Sequence, residues 1–257
     1  MSAEKILKAQ ARDKLKYGGW AKALFALAIL VIVFMIIESL AYIPYYFVDI
    51  LKPDSTIEFI IEVAGGTIAT IVALLLSPFV LGFFRMFYSD DRDYSLNDVM
   101  YYFSSGKHYA KAISFVLTFI VKMFIPTLLY SLFPITHYVA HYLILDGQPM
   151  DIGAKSSFIF LIIIAVLFTL RHSIRYFVSI LLLCENECEK TSYYFTTSKE
   201  IMRHHEKDVV KLILSFFWWI LSSITGLPAL YVIPYISQAM CLSGKWLTQL
   251  SRNGQDI

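Results

Sequence analysis

Arg171, His172 and Arg175 interrupt an otherwise apolar stretch that runs from Phe158 to Cys184. The two arginines stand at i and i+4, so on a helix they share one face. A charge at the centre of a bilayer costs roughly 2.5–3.5 kcal/mol on insertion scales, so such residues mark a polar path or a site for an anionic headgroup. The plainer reading is that both are anchors. Counted from Phe158, about 20 Å of apolar helix precedes Arg171, which puts the guanidinium near an interface where long side chains snorkel to lipid phosphate. Lys122 lies well inside another apolar block, too deep for easy snorkelling. Glu38 and Glu62 are its candidate partners, although both sit toward the far ends of their own blocks. Lys122, Arg171 and Arg175 are therefore the candidate polar-path or headgroup residues.

Other reactive side chains make weaker patterns. His137 and His141 have an acceptable i, i+4 metal spacing, but a zinc site takes three or four ligands and only Asp146 and Asp151 lie nearby. There is no Glu placed as in His-Glu-x-x-His to act as base, and Tyr138 and Tyr142 suggest interfacial histidines instead. Cys184 and Cys188 match neither a zinc ribbon nor a thioredoxin motif, and Cys241 is distant. His204-His205 reads as a solvated pair. No phosphate-binding glycine loop, Gly-x-Ser-x-Gly elbow or paired intramembrane carboxylates appear. The expectation is no catalytic residue, no metal and no cofactor, hence a protein that is not an enzyme.

The elements that must carry these residues are membrane helices. With 58% hydrophobic and 16% charged residues among 257, the chain is too apolar for an ordinary soluble domain. Apolar blocks run Ala21–Phe47, Phe59–Tyr88, Ile113–Phe133, Phe158–Cys184, Val209–Ile224 and Leu227–Leu247, and about 20 residues suffice to cross a bilayer. The spacing predicts an all-α, polytopic membrane protein of about six transmembrane helices. The last two blocks are separated by a Thr225-Gly226 breaker with Pro228 after it, which suits a hairpin; one long bent helix is the rival.

Charge sets the orientation. Of the 22 Lys and Arg residues, all but Lys52, Lys122 and Lys155 fall on alternate gaps or in the two end segments. The positive-inside rule then places both termini in the cytoplasm. The net charge of +2 gives no reason to expect nucleic acid; membrane lipids, and another membrane or cytoplasmic protein, are the expected partners.

Three polar stretches are amphipathic. Leu7, Ala11 and Leu15 share a face of the basic segment 1–19. Leu96, Val99, Met100 and Phe103 recur helically after Ser95, and Tyr194, Phe195, Ser198, Ile201 and Met202 form a stripe beside Lys199 and Arg203. Helices of this type lie on a membrane surface, apolar side down. The string Tyr101-Tyr102-Phe103-Ser104-Ser105 returns as Tyr193-Tyr194-Phe195-Thr196-Thr197, a candidate parallel repeat of 75–133 in 165–224. Gly65-Gly66 suits close helix packing. The expected organisation is one membrane domain over 1–257: a basic helix 1–19, a bundle 20–247 and a polar tail 248–257.

Gly19-Trp20 after a basic helix, and later Ser198-Lys199, Met202, Leu212-Ile213-Leu214-Ser215-Phe216, Trp218-Trp219, Thr225-Gly226 and Pro234-Tyr235, resemble the bacterial integral membrane proteins grouped as domain of unknown function 975. The resemblance covers the first twenty residues and Arg175 to Tyr235; His204-His205 stands where the family usually has a Gly. It implies a bacterial cytoplasmic membrane and a multi-pass architecture, and supplies no site residues. Two functions are open: a non-enzymatic scaffold, partner or permease-like subunit, or a self-contained transporter or lipid-handling protein for an anionic solute or headgroup.

Overall fold

The computed structural model describes residues 3–16, 19–52, 54–88, 94–144, 151–187, 189–223 and 226–252. In chain order the helices are α1 (Ala3–Lys16), α2 (Gly19–Leu51), α3 (Ser55–Leu76), α4 (Pro78–Tyr88), α5 (Asn97–Met100) running into a 3-10 turn (Tyr101–Phe103), α6 (Gly106–Ile144), α7 (Ile152–Ile174), α8 (Ser179–Glu185), α9 (Thr191–Ser215), α10 (Phe217–Ser223) and α11 (Leu227–Arg252).

Among the described residues, four segments are long and apolar enough to cross a membrane: Gly19–Leu51, Ser55–Tyr88, Gly106–Leu143 and Ile152–Glu185. They pair as two antiparallel hairpins, α2 with α3 and α6 with α7. Aspartates start the returning helices. The Asp54 carboxylate accepts from the backbone N–H groups of Thr56 and Ile57, and that of Asp151 accepts from Ala154, satisfying donors that a helix N-terminus leaves open. Along both hairpins large apolar side chains such as Phe34, Phe59, Phe124, Phe133 and Phe160 are exposed, on a scale that a water-soluble monomer does not tolerate. Lipid is the solvent of these surfaces.

Both returning helices are broken near their ends. Pro78 has no N–H to continue the ladder, and the Ser77 hydroxyl, 2.6 Å from the Leu74 carbonyl, occupies one acceptor at the break between α3 and α4. Between α7 and α8 the backbone tightens to i, i+3 bonds, among them Tyr176 N–H to Ser173 at 3.0 Å. The short helices beyond the breaks, α4 and α8, pack on each other and on α11.

The fifth and sixth apolar blocks are not among the segments long and apolar enough to cross a membrane in the described residues. Val209–Ile224 is divided at Phe216 between α9 and α10, and α10 has only 7 residues, about 10 Å of helix. Gly226, at φ 87°, takes a left-handed conformation that glycine adopts without strain; this reverses the chain into a hairpin and excludes the bent-helix alternative. Thr225 lies outside the described residues. Tyr231 stacks on Trp20 at 4.5 Å and lies 5.9 Å from Trp219, so the tip at Gly226 reaches barely beyond the level at which α2 begins. Helix α11 is long enough to span, but it buries Val232, Tyr235, Gln238, Ala239, Cys241 and Leu247. It is the central post of the packed end.

The three amphipathic stretches form helices; the apolar faces of the first and third are buried in protein, whereas of the second Val99 is buried, Leu96 and Phe103 are half-buried and Met100 is exposed. Leu7, Ala11 and Leu15 of α1 are buried, as are Val99 and Tyr102, and Tyr194, Phe195, Ile201 and Met202 of α9. A stripe read from sequence shows that a face seeks an apolar neighbour, and here that neighbour is the bundle. Tyr102 and Tyr194, equivalent in the two similar strings, lie fully buried in one cluster with Leu81, Phe115, Tyr176 and Phe195. Lys8 on α1 donates to the Ser215 carbonyl at 2.9 Å and sits 4.3 Å from the Phe216 ring. It thereby fills an acceptor at the negative end of α9. Burial lowers the Lys8 pKa, opposed by Glu4.

The Tyr94 hydroxyl donates to Gln238 Oε1 at 2.6 Å in this core, and Gln238 Nε2 is buried without a partner among the described residues. Tyr94→Phe leaves the whole amide unsatisfied and is expected to lower stability by about 1–3 kcal/mol, whereas Tyr94→Phe with Gln238→Leu recovers most of that loss. Thermal unfolding of both variants in one detergent checks the order.

Candidate functional site: a cationic cluster beside an apolar crevice

The three residues singled out from the sequence meet on one side of the bundle. Helix α6 brings Lys122, the end of α7 brings Arg171, His172 and Arg175, and α9 lies across them. His172 Nε2 donates to the Lys122 carbonyl at 3.3 Å, fixing the two helices in register. Lys122 Nζ hangs 5.9 Å from the Tyr176 ring and 5.6 Å from the Phe195 ring. Neither Glu38 nor Glu62 pairs with it, and among the described residues no other carboxylate does.

The arginines share one carboxylate, on α9. Arg175 Nε lies 3.1 Å from Glu206 Oε1, and Arg171 Nε lies 3.8 Å from Oε2. Ser198 donates to the Arg175 carbonyl at 3.0 Å, tying α9 to the break after α7. The charges of Lys122, Arg175 and Lys199 all act on His172. Two arginines thus share one carboxylate and Lys122 has none among the described residues, so positive charge is in surplus here, and Arg171 keeps 67% of its side chain exposed. Such a surplus attracts an anion, and two arginines present flat donor forks suited to phosphate or carboxylate oxygens.

The depth of Lys122 follows from its pairing. Helix α6 continues to Ile144, well past the Phe133 at which the apolar block was ended. From Lys122 to that end is about 33 Å of helix, near the roughly 30 Å of a hydrocarbon core. Level with His172 near the end of α7, Lys122 lies on the part of α6 away from the hairpin turn.

Beside the cluster is a crevice of about 170 Å³ lined by Phe84, Phe119, Ser173, Tyr176, Ile180 and Met240, among others. A second charged network lies across α4. Arg85 Nη1 is 2.6 Å from Glu187 Oε1, Arg85 Nε is 3.8 Å from Asp98, and the guanidinium lies 3.5 Å from the centre of the Tyr101 ring. The same ring stacks on His108 at 4.6 Å, and its hydroxyl donates to Glu187 Oε2 at 3.3 Å. Burial, and then the Glu187 charge, raise the Tyr101 pKa. This network is internally paired and joins α4, the α5 turn, α6 and the segment after α8, so its role is to hold elements together.

Glu206 and Lys199, and the network of Arg85 with Glu187, were not singled out from the sequence. Arg85 inside Pro78–Tyr88 carried a visible signal, a cation in an apolar block. Its partner lies 102 residues away in a polar loop, where one glutamate among several has no distinguishing mark. His137 Nε2 lies 2.7 Å from Ser157 Oγ and its ring packs edge-on to Phe158, an interhelical contact. Cys184 and Cys241 are buried free thiols; Cys188 and Asp146 lie outside the described residues.

A model of proteins of unknown function, DUF975, matches residues 1–249. The chain belongs to that family. The DUF975 match therefore takes in the middle of the chain, including Lys122 and Arg85, beyond the two stretches that carried the resemblance. No curated protein and no solved structure matches this DUF975 chain.

Proposed function

We propose that this membrane protein is a non-enzymatic lipid-handling or transport protein that holds an anionic headgroup or solute at Lys122, Arg171 and Arg175. One observation carries the reading: two arginines at the end of α7 share a single carboxylate, Glu206, while Lys122 on α6, held level with them by His172, has no carboxylate partner among the described residues. The scaffold reading, the first of the two drawn from the sequence, rests on amphipathic connections that offer a docking face; the stripe of α9 is covered within the bundle, while Met100 of the other connection is exposed. The charge distribution supports placing the cluster, with both termini, on the cytoplasmic side of a bacterial plasma membrane.

The test is native mass spectrometry of protein released from nanodiscs of equal phosphatidylglycerol and phosphatidylcholine. Retention of the anionic lipid is expected to exceed that of the zwitterionic one. The Lys122→Gln, Arg171→Gln, Arg175→Gln triple variant is expected to weaken that preference by about 3 kcal/mol, at roughly 1 kcal/mol per cation. Glu206→Gln, which releases both arginines, is expected to strengthen it. A cluster that is only a structural ion pair gives the opposite pattern: Glu206→Gln lowers the melting temperature and leaves lipid preference unchanged.

A further inference from the structure

Phe119 precedes Lys122 by one helical turn, Ser173 directly follows His172, and the Tyr176 ring lies beneath the Lys122 ammonium. All three also line the crevice, which continues between α4, α8 and α11 to Phe84, Ile180 and Met240. The cationic cluster and the crevice are therefore one continuous amphiphilic surface, charged at its mouth and apolar along its depth. We propose that it holds a whole anionic phospholipid, with the phosphate at Lys122, Arg171 and Arg175 and one acyl chain lying in the crevice; this rests on the headgroup reading above.

Three observations select an acyl chain as occupant. At about 170 Å³ the crevice is too small for a helix, which needs about 10 Å across with its side chains. Most of its walls belong to the segments Ser55–Tyr88, Gly106–Leu143 and Ile152–Glu185, which are long and apolar enough to cross a membrane. Its polar lining is slight, and the Ser173 hydroxyl is already committed to the Thr169 carbonyl at 2.9 Å. A free anion would use the mouth and leave the rest unused, whereas a lipid matches both parts, each with the chemistry it requires.

Photocrosslinking tests this with full-length protein in nanodiscs containing phosphatidylglycerol that carries a diazirine near the end of one acyl chain. The label is expected on peptides containing Ile180 or Met240, to fall at least about tenfold in the Lys122→Gln, Arg171→Gln, Arg175→Gln variant, an effect of the size that a loss of 1.4 kcal/mol produces, and to fall similarly in Ser173→Phe. Mapping in the wild-type protein needs no variant to fold. A label confined to the outer faces of α6 and α7 that still depends on the three cations overturns the acyl site and leaves the headgroup reading standing. Labelling that ignores the cations altogether overturns both.

Discussion

Gly82→Ala is expected to be the most damaging single methyl that can be added to this protein. A Cβ at position 82 lies 2.1 Å from the Val99 carbonyl oxygen, 2.7 Å from its carbonyl carbon and 2.9 Å from the Asp98 oxygen. The obstacle is backbone, so no rotamer change relieves it. Helix α4 must move off α5, and with it Phe83, Met86 and Phe87, all buried in the larger cluster around α11. Overpacking costs typically about 1–3 kcal/mol when neighbours can shift, and here the value is expected at or above the upper end. Gly66→Ala is the matched control: nothing lies within 4 Å of its Cβ, and alanine is better in a helix by about 1 kcal/mol. The two variants are expected to bracket the wild type in melting temperature, and equal melting for both sinks the close α4–α5 approach.

Glu187→Ala is expected to come second. It removes the close partner of Arg85 and leaves a guanidinium, 23% exposed in its side chain, with the distant Asp98, the Cys184 carbonyl at 3.4 Å and the Tyr101 face to compensate. Breaking a buried pair costs about 3–5 kcal/mol, and the residual exposure here reduces that to about 2–3 kcal/mol. Arg85→Met alone leaves Glu187 with Tyr101 and His108, whereas the double variant Arg85→Met with Glu187→Ala leaves no uncompensated charge. A double-mutant cycle is expected to show coupling of about 1–3 kcal/mol. Additive losses, with each single variant harmless, contradict the clasp.

What the sequence disclosed and what it hid divide along one physical line. The two long hairpins were legible because lipid imposes its own requirement, an apolar run of sufficient length, on each helix separately. The α10–α11 hairpin reads as two spans in the sequence because apolar composition alone does not tell a lipid-facing helix from a buried one; Val232, Ala239 and Leu247 are apolar for the sake of protein neighbours. Helix α1 illustrates the same ambiguity on a polar helix. The stripe of Leu7, Ala11 and Leu15 was visible, and what covers it was not.

At the site, Lys122, Arg171 and Arg175 stood out because cations in apolar blocks are conspicuous. Glu206, shared by the two arginines, did not, because α9 is rich in charge and one acid there looks like another. Gly65 and Gly66 show how finely this matters. A Cβ on Gly65 meets the Pro44 ring at 1.7 Å, while Gly66 faces open space, so only one of two adjacent glycines serves the close approach of α2 and α3.

The shortness of the α10–α11 hairpin has a mechanical consequence. Two hairpins are long and apolar enough to cross the full thickness of a bilayer, while the third, rooted at the end where α1, α9 and α11 pack, has only the 7 residues of α10 on its outgoing arm, so when those two hairpins span, its tip at Gly226 stays within one monolayer. The protein then displaces more lipid from that monolayer than from the opposite one, which makes it wedge-shaped in cross-section. A wedge relaxes best where the sheet around it bends toward its slim side, so local curvature enters the energetics of where the molecule resides.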